Sequence, residues 1–235
     1  MKRYFALMLL GLFLLSGCEK QPQTAQQNDT LVVATMGFEG KFSPFFSLSA
    51  YDSQINQLVQ LYLLETDREG SVVQRGIEGE TRPYGGKDYT YRGIASCSVT
   101  ETRYDITLRD DLFFSDGERG TIDDVIFSLY VALDPSYDGT LTVYSLPIEG
   151  LEDYRNGDAR SVSGIQKTGE NTLRITLTQP TAGALEQLSI PVAPLHYYGS
   201  DALYSPENQM FGFQKGDLSK VRSVTAAPLG GGPYK

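Results

Sequence analysis

Residues 108–133 read LRDDLFFSDGERGTIDDVIFSLYVAL, and the organisation of the whole chain can be worked out from this stretch. The preceding residues 104–108 alternate apolar and polar side chains, which is typical of a half-buried strand. Ser-Asp-Gly at 115–117 suits a tight turn, and Thr121 can cap a following helix. The apolar face of that helix consists of Ile122, Val125, Ile126, Leu129 and Leu133. The stretch therefore predicts a strand, a turn and an amphipathic helix in close succession.

The composition of the 235 residues argues against nucleic acid as a partner. Twenty basic residues stand against 29 acidic ones, which gives a net charge of -9. Removal of a leader that carries Lys2 and Arg3 leaves 18 basic residues against 29 acidic ones. Binding to phosphate backbones needs clustered Lys and Arg, and the chain shows no such cluster. An acidic surface identifies no ligand, because most often it only keeps a protein soluble.

The amino terminus has the pattern of an export signal. Met1-Lys2-Arg3 is basic, and the apolar run 4–15 is too short to span a bilayer but suits the core of a signal peptide. Leu15-Ser16-Gly17-Cys18 then resembles the lipobox of bacterial lipoproteins. The resemblance implies that residues 1–17 are a signal peptide and that Cys18 carries a lipid anchor. An ordinary leader with an incidental cysteine is the alternative.

Residues 18–30 are polar and rich in glutamine, which predicts a flexible tether. If Cys18 carries lipid, Cys97 has no disulfide partner. Cys97 lies in an apparent strand, ASCSV, so we expect a buried thiol; a reactive nucleophile would need a basic neighbour.

The polar residues predict no catalytic or metal site and no cofactor. His196 is the sole histidine, and it has no Cys, Asp or Glu cluster beside it in the sequence. We expect it to pack or to form a hydrogen bond at the end of a strand. Asp134, Asp138 and Asp153 lack the ligand spacing of a calcium loop, so roles in turns and helix ends are expected instead.

The remaining patterns predict a mixture of helices and strands. We expect a buried strand at 31–35, a loop at 38–51, and irregular loops at 71–90. A helix is expected from Asp52 or Ser53 to about Leu64. Its predicted apolar face consists of Ile55, Leu58, Val59 and Tyr62.

The second half of the chain predicts a hairpin and a short helix. The hairpin spans 163–177 and has a turn at 168–171. Thr181 is expected to cap a short helix with Ala184, Leu185 and Leu188 facing inward. Pro191 and Pro194 are expected to exclude a helix directly afterwards.

Several segments of the chain resemble one family. LRDDLFFSDG followed by TIDDVIFSLY is similar to the segment "LR-x-x-(x)-F-S-D-G … A-D-D-V-x-F-S" of the solute-binding proteins of peptide-type ABC transporters, extracellular family 5. Residues 173–180 resemble its strand "tLxixLxxP", and residues 229–235, LGGGPYK, resemble its turn "G-T-G-P-Y". The chain departs from the family at Thr121-Ile122, where Thr-Ala is more usual.

The resemblance implies an α/β fold, namely an incomplete periplasmic-binding-protein type II-like lobe with an inserted α+β subdomain. The lobe is expected from residues 31–47 plus 155–235, and the insertion from 48–154. The resemblance covers nearly all of the chain but only the first half of the family, so the chain is expected to lack the second large lobe. On its own it is expected to bind ligand weakly or not at all.

The resemblance also implies a ligand site. In the family a segment "(N/D)-P-F" crosses between lobes and lines part of the ligand cleft, and Ser-Pro-Phe at 43–45 matches its position. The residues expected to line the cleft are Phe45, Phe46, Leu48 and Ala50. The alternative is that the phenylalanines only fill the core of the lobe.

The expected function is that of a substrate-binding lipoprotein. It would capture di- or oligopeptides, or another small solute such as nickel, outside the cytoplasmic membrane and deliver them to ABC permease subunits. It is expected to act as a monomer, anchored by lipid and facing the periplasm or the cell exterior. The alternatives are a non-binding structural lipoprotein or gene remnant, and an exported hydrolase. The hydrolase is disfavoured because the sequence has no Gly-x-Ser-x-Gly or His-Glu-x-x-His motif.

Overall fold

A four-stranded antiparallel sheet and one enclosed helix form the centre of the fold in the computed structural model, which describes residues 32–234. The predicted signal peptide, Cys18 and the tether lie outside these residues. Residues from Gly37 onward belong to one compact unit. None of the helices in residues 32–234 has the length and apolar character needed to cross a bilayer.

The regular elements are short and lie in the following order. They are α1 (Ala50–Val59), β1 (Leu61–Tyr62), β2 (Glu80–Tyr84), β3 (Lys87–Tyr91), β4 (Ala95–Thr100), β5 (Arg103–Leu108), α2 (Ile122–Leu133), α3 (Leu151–Asn156), β6 (Ile165–Gly169), β7 (Thr172–Thr176), α4 (Ala184–Leu188), β8 (Pro191–Val192), α5 (Leu195–Tyr198), β9 (Tyr204–Ser205), β10 (Met210–Phe211) and α6 (Ser219–Ser223). Short 3-10 turns occupy Val143–Ser145, Asp201–Leu203 and Pro206–Asn208.

The central sheet has the strand order β4-β5-β7-β6, with all neighbours antiparallel. Tyr104, Ile106 and Leu108 of β5 are buried, and the intervening residues are not, so the predicted half-buried strand is confirmed. The hairpin predicted at 163–177 is confirmed as β6 and β7. Because β5 and β7 pair directly, strands from both sides of the expected domain boundary near residue 155 share one sheet and one core. The division into a lobe and an inserted subdomain stays a prediction.

Helix α2 lies between two hydrophobic clusters. Its residues Val125, Ile126 and Leu129 belong to the larger cluster, which includes the inner face of the sheet. Phe127 and Val131 point into a second cluster that is rich in aromatic rings. The helix is therefore buried on nearly all sides, whereas the sequence predicted a single apolar face.

Two polar residues of α2 hold a later segment of the chain in place. The Asp124 carboxylate accepts hydrogen bonds from the Thr121 amide at 2.7 Å and from the Leu195 amide at 2.8 Å. The Ser128 hydroxyl accepts one from the Ala193 amide at 2.9 Å and donates to the Asp124 carbonyl. Asp124 thereby caps the helix, and Asp124 and Ser128 together fix the path from β8 to α5.

The neighbouring Asp123 has a separate role at the surface. Its carboxylate forms an ion pair with Lys167 Nζ at 2.7 Å and accepts a hydrogen bond from the Tyr204 hydroxyl at 2.7 Å. Asp123 thus joins α2 to the β6–β7 hairpin and to β9.

The strand expected at 31–35 is wrong for the residues that are described. Residues 32–35 have no regular structure, and Val32 and Val33 are exposed. An apolar run becomes a strand only when a second strand pairs with it, and none of the ladders formed within 32–234 includes these residues.

Helix α1 begins and ends earlier than expected. Ser49 is the N-cap, and the helix ends at Val59 rather than near Leu64, because residues 61–62 pair with β8. Its buried side chains include two polar ones. Asp52 accepts the backbone amides of residues 39 and 41, and Asn56 donates to the Ser43 carbonyl at 2.8 Å. The loop that precedes the helix, not an apolar surface, therefore covers its inner face.

The expectation of irregular loops at 71–90 is wrong for residues 80–90, because β2 and β3 form a hairpin there, whereas residues 71–79 belong to no helix or strand element. Gly85 and Gly86 adopt positive φ angles of 57° and 77°, which suit a two-residue hairpin turn. Both strands are mostly exposed, so they lack the apolar alternation that reveals a half-buried strand. The helix α5 likewise begins directly after Pro194, where a missing amide hydrogen costs no helical bond.

We expect Asp124→Ala to lower the free energy of unfolding by about 2–4 kcal/mol, because it removes a helix cap and leaves the buried Leu195 amide without an acceptor. Asp123→Ala, the matched control in the same helical turn, should cost about 1 kcal/mol, since it loses a partly exposed ion pair and one hydrogen bond. Urea denaturation of both variants measures the difference. Equal losses would contradict the role assigned to Asp124.

Candidate ligand-binding site

The structure separates the four residues that were expected to line a cleft into two pairs. Phe45 has no exposed surface and packs edge-on against Phe127 and Tyr198, with ring centroids 6.3 Å and 6.1 Å away. Phe46 is also buried and lies against Tyr137 at 5.4 Å. Both rings therefore belong to the aromatic cluster. This position agrees with the alternative interpretation, in which the phenylalanines fill the core.

Leu48 and Ala50 lie at the surface, at the point where the loop enters α1. Leu48 is 65% exposed, and Ala50 is exposed as well. The loop beneath them is held firmly. The Ser43 hydroxyl accepts the amides of Phe45 and Phe46, both at 3.2 Å, and the Tyr137 hydroxyl donates to the Phe45 carbonyl at 2.9 Å. Leu48 and Ala50 thus form an apolar tip that is exposed to solvent, and hydrogen bonds hold the backbone of the loop beneath them.

A separate cavity of about 900 Å³ lies beyond the other end of α1. A nearly continuous wall from residue 57 to residue 66 lines one side of it, and parts of 92–94 and 231–233 line the others. Gly70, Arg109, Glu186 and Ser189 complete the lining. None of the four residues expected from the sequence contributes to it.

The glycine-rich segment 229–232 is attached to the end of α1 largely through its backbone. The Gly232 amide donates to the Val59 carbonyl at 2.8 Å, and the Gly230 carbonyl accepts the Ser115 amide at 2.8 Å. A Cβ atom on Gly230 would lie 2.2 Å from the Val59 carbonyl oxygen, so this close approach requires glycine. The sequence identified a turn here but not its position beside the cavity.

The charged groups of the cavity wall differ in their partners. The Arg109 guanidinium forms a two-point contact with the Asp111 carboxylate. Arg92 makes only a 3.4 Å contact with the Ile77 carbonyl. The surrounding protein removes water from the Glu65 carboxyl group and raises its pKa above the ordinary value, although part of the side chain is exposed. Sequence patterns gave no signal for Glu65, because a single acidic residue after a helix is common.

His196 forms a hydrogen bond through Nε2 with Asp116 Oδ2 at 2.8 Å, as expected, although it lies on the short helix α5 rather than at the end of a strand. This hydrogen bond is the main cause of the lowered pKa of the Asp116 carboxyl group. Among residues 32–234, no group of three or more His, Cys, Asp and Glu side chains could hold a metal ion.

Comparison with known proteins identifies the family of the chain. The family model described as "Bacterial extracellular solute-binding proteins, family 5 Middle" matches residues 96–235, which is more than half of the sequence. The chain belongs to this family. Its members are binding proteins, so the prediction that the chain is not an enzyme is confirmed.

Two curated relatives are oligopeptide-binding proteins. OppA of Lactococcus lactis is 33% identical over 138 residues, which is 55% of this chain and 21% of that protein. AppA of Bacillus subtilis is 22% identical over 240 residues, which is 97% of this chain and 37% of that protein. The chain therefore spans between about a fifth and two fifths of the length of these family 5 proteins.

Solved structures confirm the predicted fold class. Lactococcal OppA, complexed with an endogenous peptide in the closed conformation, has a TM-score of 0.59 at 23% identity, over 84% of this chain and 34% of that one. NikZ of Campylobacter jejuni, in complex with Ni(L-His), has a TM-score of 0.57 at 23% identity, over 88% and 32% of the two chains. The fold is that of periplasmic binding proteins of type II, and each match covers only part of the larger protein.

Cys97 is 4% exposed on β4, and burial raises the pKa of its thiol to about 12. We expect a thiol-specific disulfide reagent at pH 8 to leave Cys97 of the folded protein unmodified, because the reactive thiolate is scarce and enclosed. The same reagent should modify it fully in urea. Mass spectrometry measures the modification of Cys97. Rapid modification in the folded chain would contradict the expected protection of the thiol.

Proposed function

We propose that the chain belongs to a lipid-anchored solute-binding protein that captures di- or oligopeptides outside the cytoplasmic membrane for import by an ABC transporter. The observation that carries this proposal is the family match over residues 96–235. Relatives in two bacteria are named oligopeptide-binding proteins, which favours peptides over other solutes. ABC permease subunits are the proposed partners, and the protein is proposed to act as a monomer at the outer face of the membrane.

The geometry of the loop before α1 supports a role in ligand contact. Binding proteins of this kind close two lobes on a ligand in a hinge motion, and the buried ligand gains affinity from apolar contact and a few polar groups. Leu48 and Ala50 are exposed on a backbone that is fixed by Ser43 and by the Tyr137 hydroxyl. An apolar tip on a rigid base can contact a ligand without losing much conformational entropy. Leu48 and Ala50 are accordingly our proposed ligand contacts, with Phe45 and Phe46 supporting them from below.

A photo-crosslinking experiment tests the peptide proposal. A pool of short peptides with a photoreactive side chain, irradiated with the full chain, should label residues near Leu48. Leu48→Asp should reduce this labelling about tenfold, because a buried leucine contact is worth about 1.5 kcal/mol.

The matched control is Leu203→Asp, which alters another exposed leucine, on the 3-10 turn Asp201–Leu203, and should leave the labelling unchanged. Mass spectrometry of the labelled fragments locates the contact. Equal loss in both variants, or labelling confined to other surfaces, would overturn the proposed site. Crosslinking suits weak complexes, so low affinity of the isolated chain does not obscure the result.

We further propose that Cys18 carries the lipid anchor, since small residues lead into it at the end of an apolar core. A bacterium that expresses the full chain is grown in medium that contains an alkyne-bearing fatty acid. The protein should then carry the alkyne label. Cys18→Ser should abolish the label, whereas Cys97→Ser, the control at the other cysteine, should retain it. A label that survives Cys18→Ser would refute the anchor.

A further inference from the structure

A second cavity, of about 540 Å³, lies between the carboxyl end of α3 and the β9–β10 hairpin. It is lined by residues 154, 160, 203, 209–211 and 213–215. The 900 Å³ cavity at the end of α1 shares none of these residues, and neither Leu48 nor Ala50 belongs to the lining. The volume lies within the range of about 300–1,000 Å³ that is usual for small-molecule sites. The cavity is therefore a candidate binding site that is separate from the proposed peptide contacts.

The charge of this cavity has the opposite sign to that of the whole chain. Arg160 and Lys215 line it, and among the described residues no Asp or Glu does. Arg160 is exposed, and its guanidinium forms no ion pair or hydrogen bond with residues 32–234. In a chain whose net charge is -9, a wall with two cations and no carboxylate favours an anion as the occupant.

Lys215 is held in place without a carboxylate partner. Its Nζ donates to the carbonyls of Tyr154 and Ala159, the second at 3.3 Å, and it lies 4.3 Å from the centre of the Tyr154 ring. The Asp134 carboxylate accepts the neighbouring Gly216 amide at 2.9 Å, but it is fully buried and forms no ion pair with Lys215. An ammonium group has three donors, and two carbonyls leave one of them for a ligand.

Much of the remaining wall is apolar and is fixed by buried neighbours. Phe211 stacks on Tyr130 with ring centroids 3.4 Å apart, and Phe213 packs edge-on against Phe127 at 6.2 Å. Met210, the neighbour of Phe211 in β10, is 38% exposed. An apolar ligand group can lie against such side chains without first ordering the rings, which limits the entropy cost of binding.

We propose that this cavity binds a small carboxylic acid with an aromatic or aliphatic chain. The Arg160 guanidinium and the Lys215 ammonium group donate to its carboxylate, and the chain lies against Met210 and Phe213. Arginine suits a carboxylate because its planar fork can donate two parallel hydrogen bonds. The acid can be free, or it can be the carboxyl end of a peptide. Only the second source rests on the proposed peptide function.

An NMR titration of the full chain with matched probes tests the proposal. Phenylpropionate and phenylpropionamide share one carbon skeleton, and only the acid is charged at pH 7. The acid should bind at least about tenfold more tightly, because hydrogen bonds to charged groups are roughly twice as strong as neutral ones. Equal affinities, or no binding of the acid at millimolar concentration, would overturn the proposal.

Variants assign the residues. Arg160→Gln removes a charge without breaking a protein contact, and it should weaken phenylpropionate binding about tenfold. Arg75→Gln makes the same change of net charge at another exposed arginine, outside the cavity, and should have no effect. Lys215→Met should weaken binding as well, and if this variant fails to fold, Arg160→Gln still decides the matter. Equal behaviour of the Arg160 and Arg75 variants would refute the assignment.

Anionic vesicles separate a site for a small acid from a contact with lipid headgroups. Wild-type protein and Arg160→Gln are sedimented with vesicles of phosphatidylglycerol. Equal sedimentation of both, with phenylpropionate binding that depends on Arg160, supports the cavity as a site for a small acid. Sedimentation that Arg160→Gln abolishes, in a protein that does not bind phenylpropionate, would overturn the proposal in favour of a membrane contact.

Peptide probes separate this inference from the proposed function. Ala-Ala-Phe that binds far better than its carboxyl amide, and that needs Arg160, identifies the carboxyl end of a peptide as the source. Phenylpropionate binding that needs Arg160, with no binding of Ala-Ala-Phe, supports a free acid. Peptide labelling near Leu48 that persists in a chain without affinity for phenylpropionate overturns the acid site and leaves the peptide function standing.

Discussion

The structure depends on the hydrogen bonds that Asp124 and Ser128 make to the backbone at 193–195. These side chains emerge from a helix that is otherwise apolar, and they satisfy amides that would be buried without partners. The cost of burying the Asp124 carboxyl group is visible in its raised pKa, which its hydrogen bonds reduce only in part. A buried charge of this kind stabilises one chain path over others, because few alternative paths offer it matching donors.

The enclosure of α2 follows from this constraint. Once the segment after β8 is fixed across the helix, α5 and the aromatic cluster cover the side that faces away from the sheet. Phe45 then fills the space between Phe127 and Tyr198, so packing against α2 determines the position of the loop before α1. The exposed Leu48 is therefore set in place by contacts that begin at Asp124, although the two residues are far apart in sequence.

The sequence predicted the parts of the fold whose local signals agree with the final packing. The strand ending at Leu108, the turn at 115–117 and the helix capped at Thr121 each have a strong local pattern. The errors occur where the partner is distant or polar. The inner face of α1 is covered by the preceding loop, whose amides donate to Asp52 and whose Ser43 carbonyl accepts from Asn56, and no apolar periodicity can reveal such contacts. The cavity beside Gln60 depends on segments more than a hundred residues apart, so local patterns could not have located it.

Substitutions at the buried positions of α2 must suit two hydrophobic clusters at once. Ile122 and residues 124–128 are enclosed in this way, and they belong to a segment on which the family resemblance rests. Exposed positions such as Leu48 meet no such restriction, because their side chains do not fill a core. The segment that carries the family resemblance is thus one whose side chains are constrained by packing on two sides.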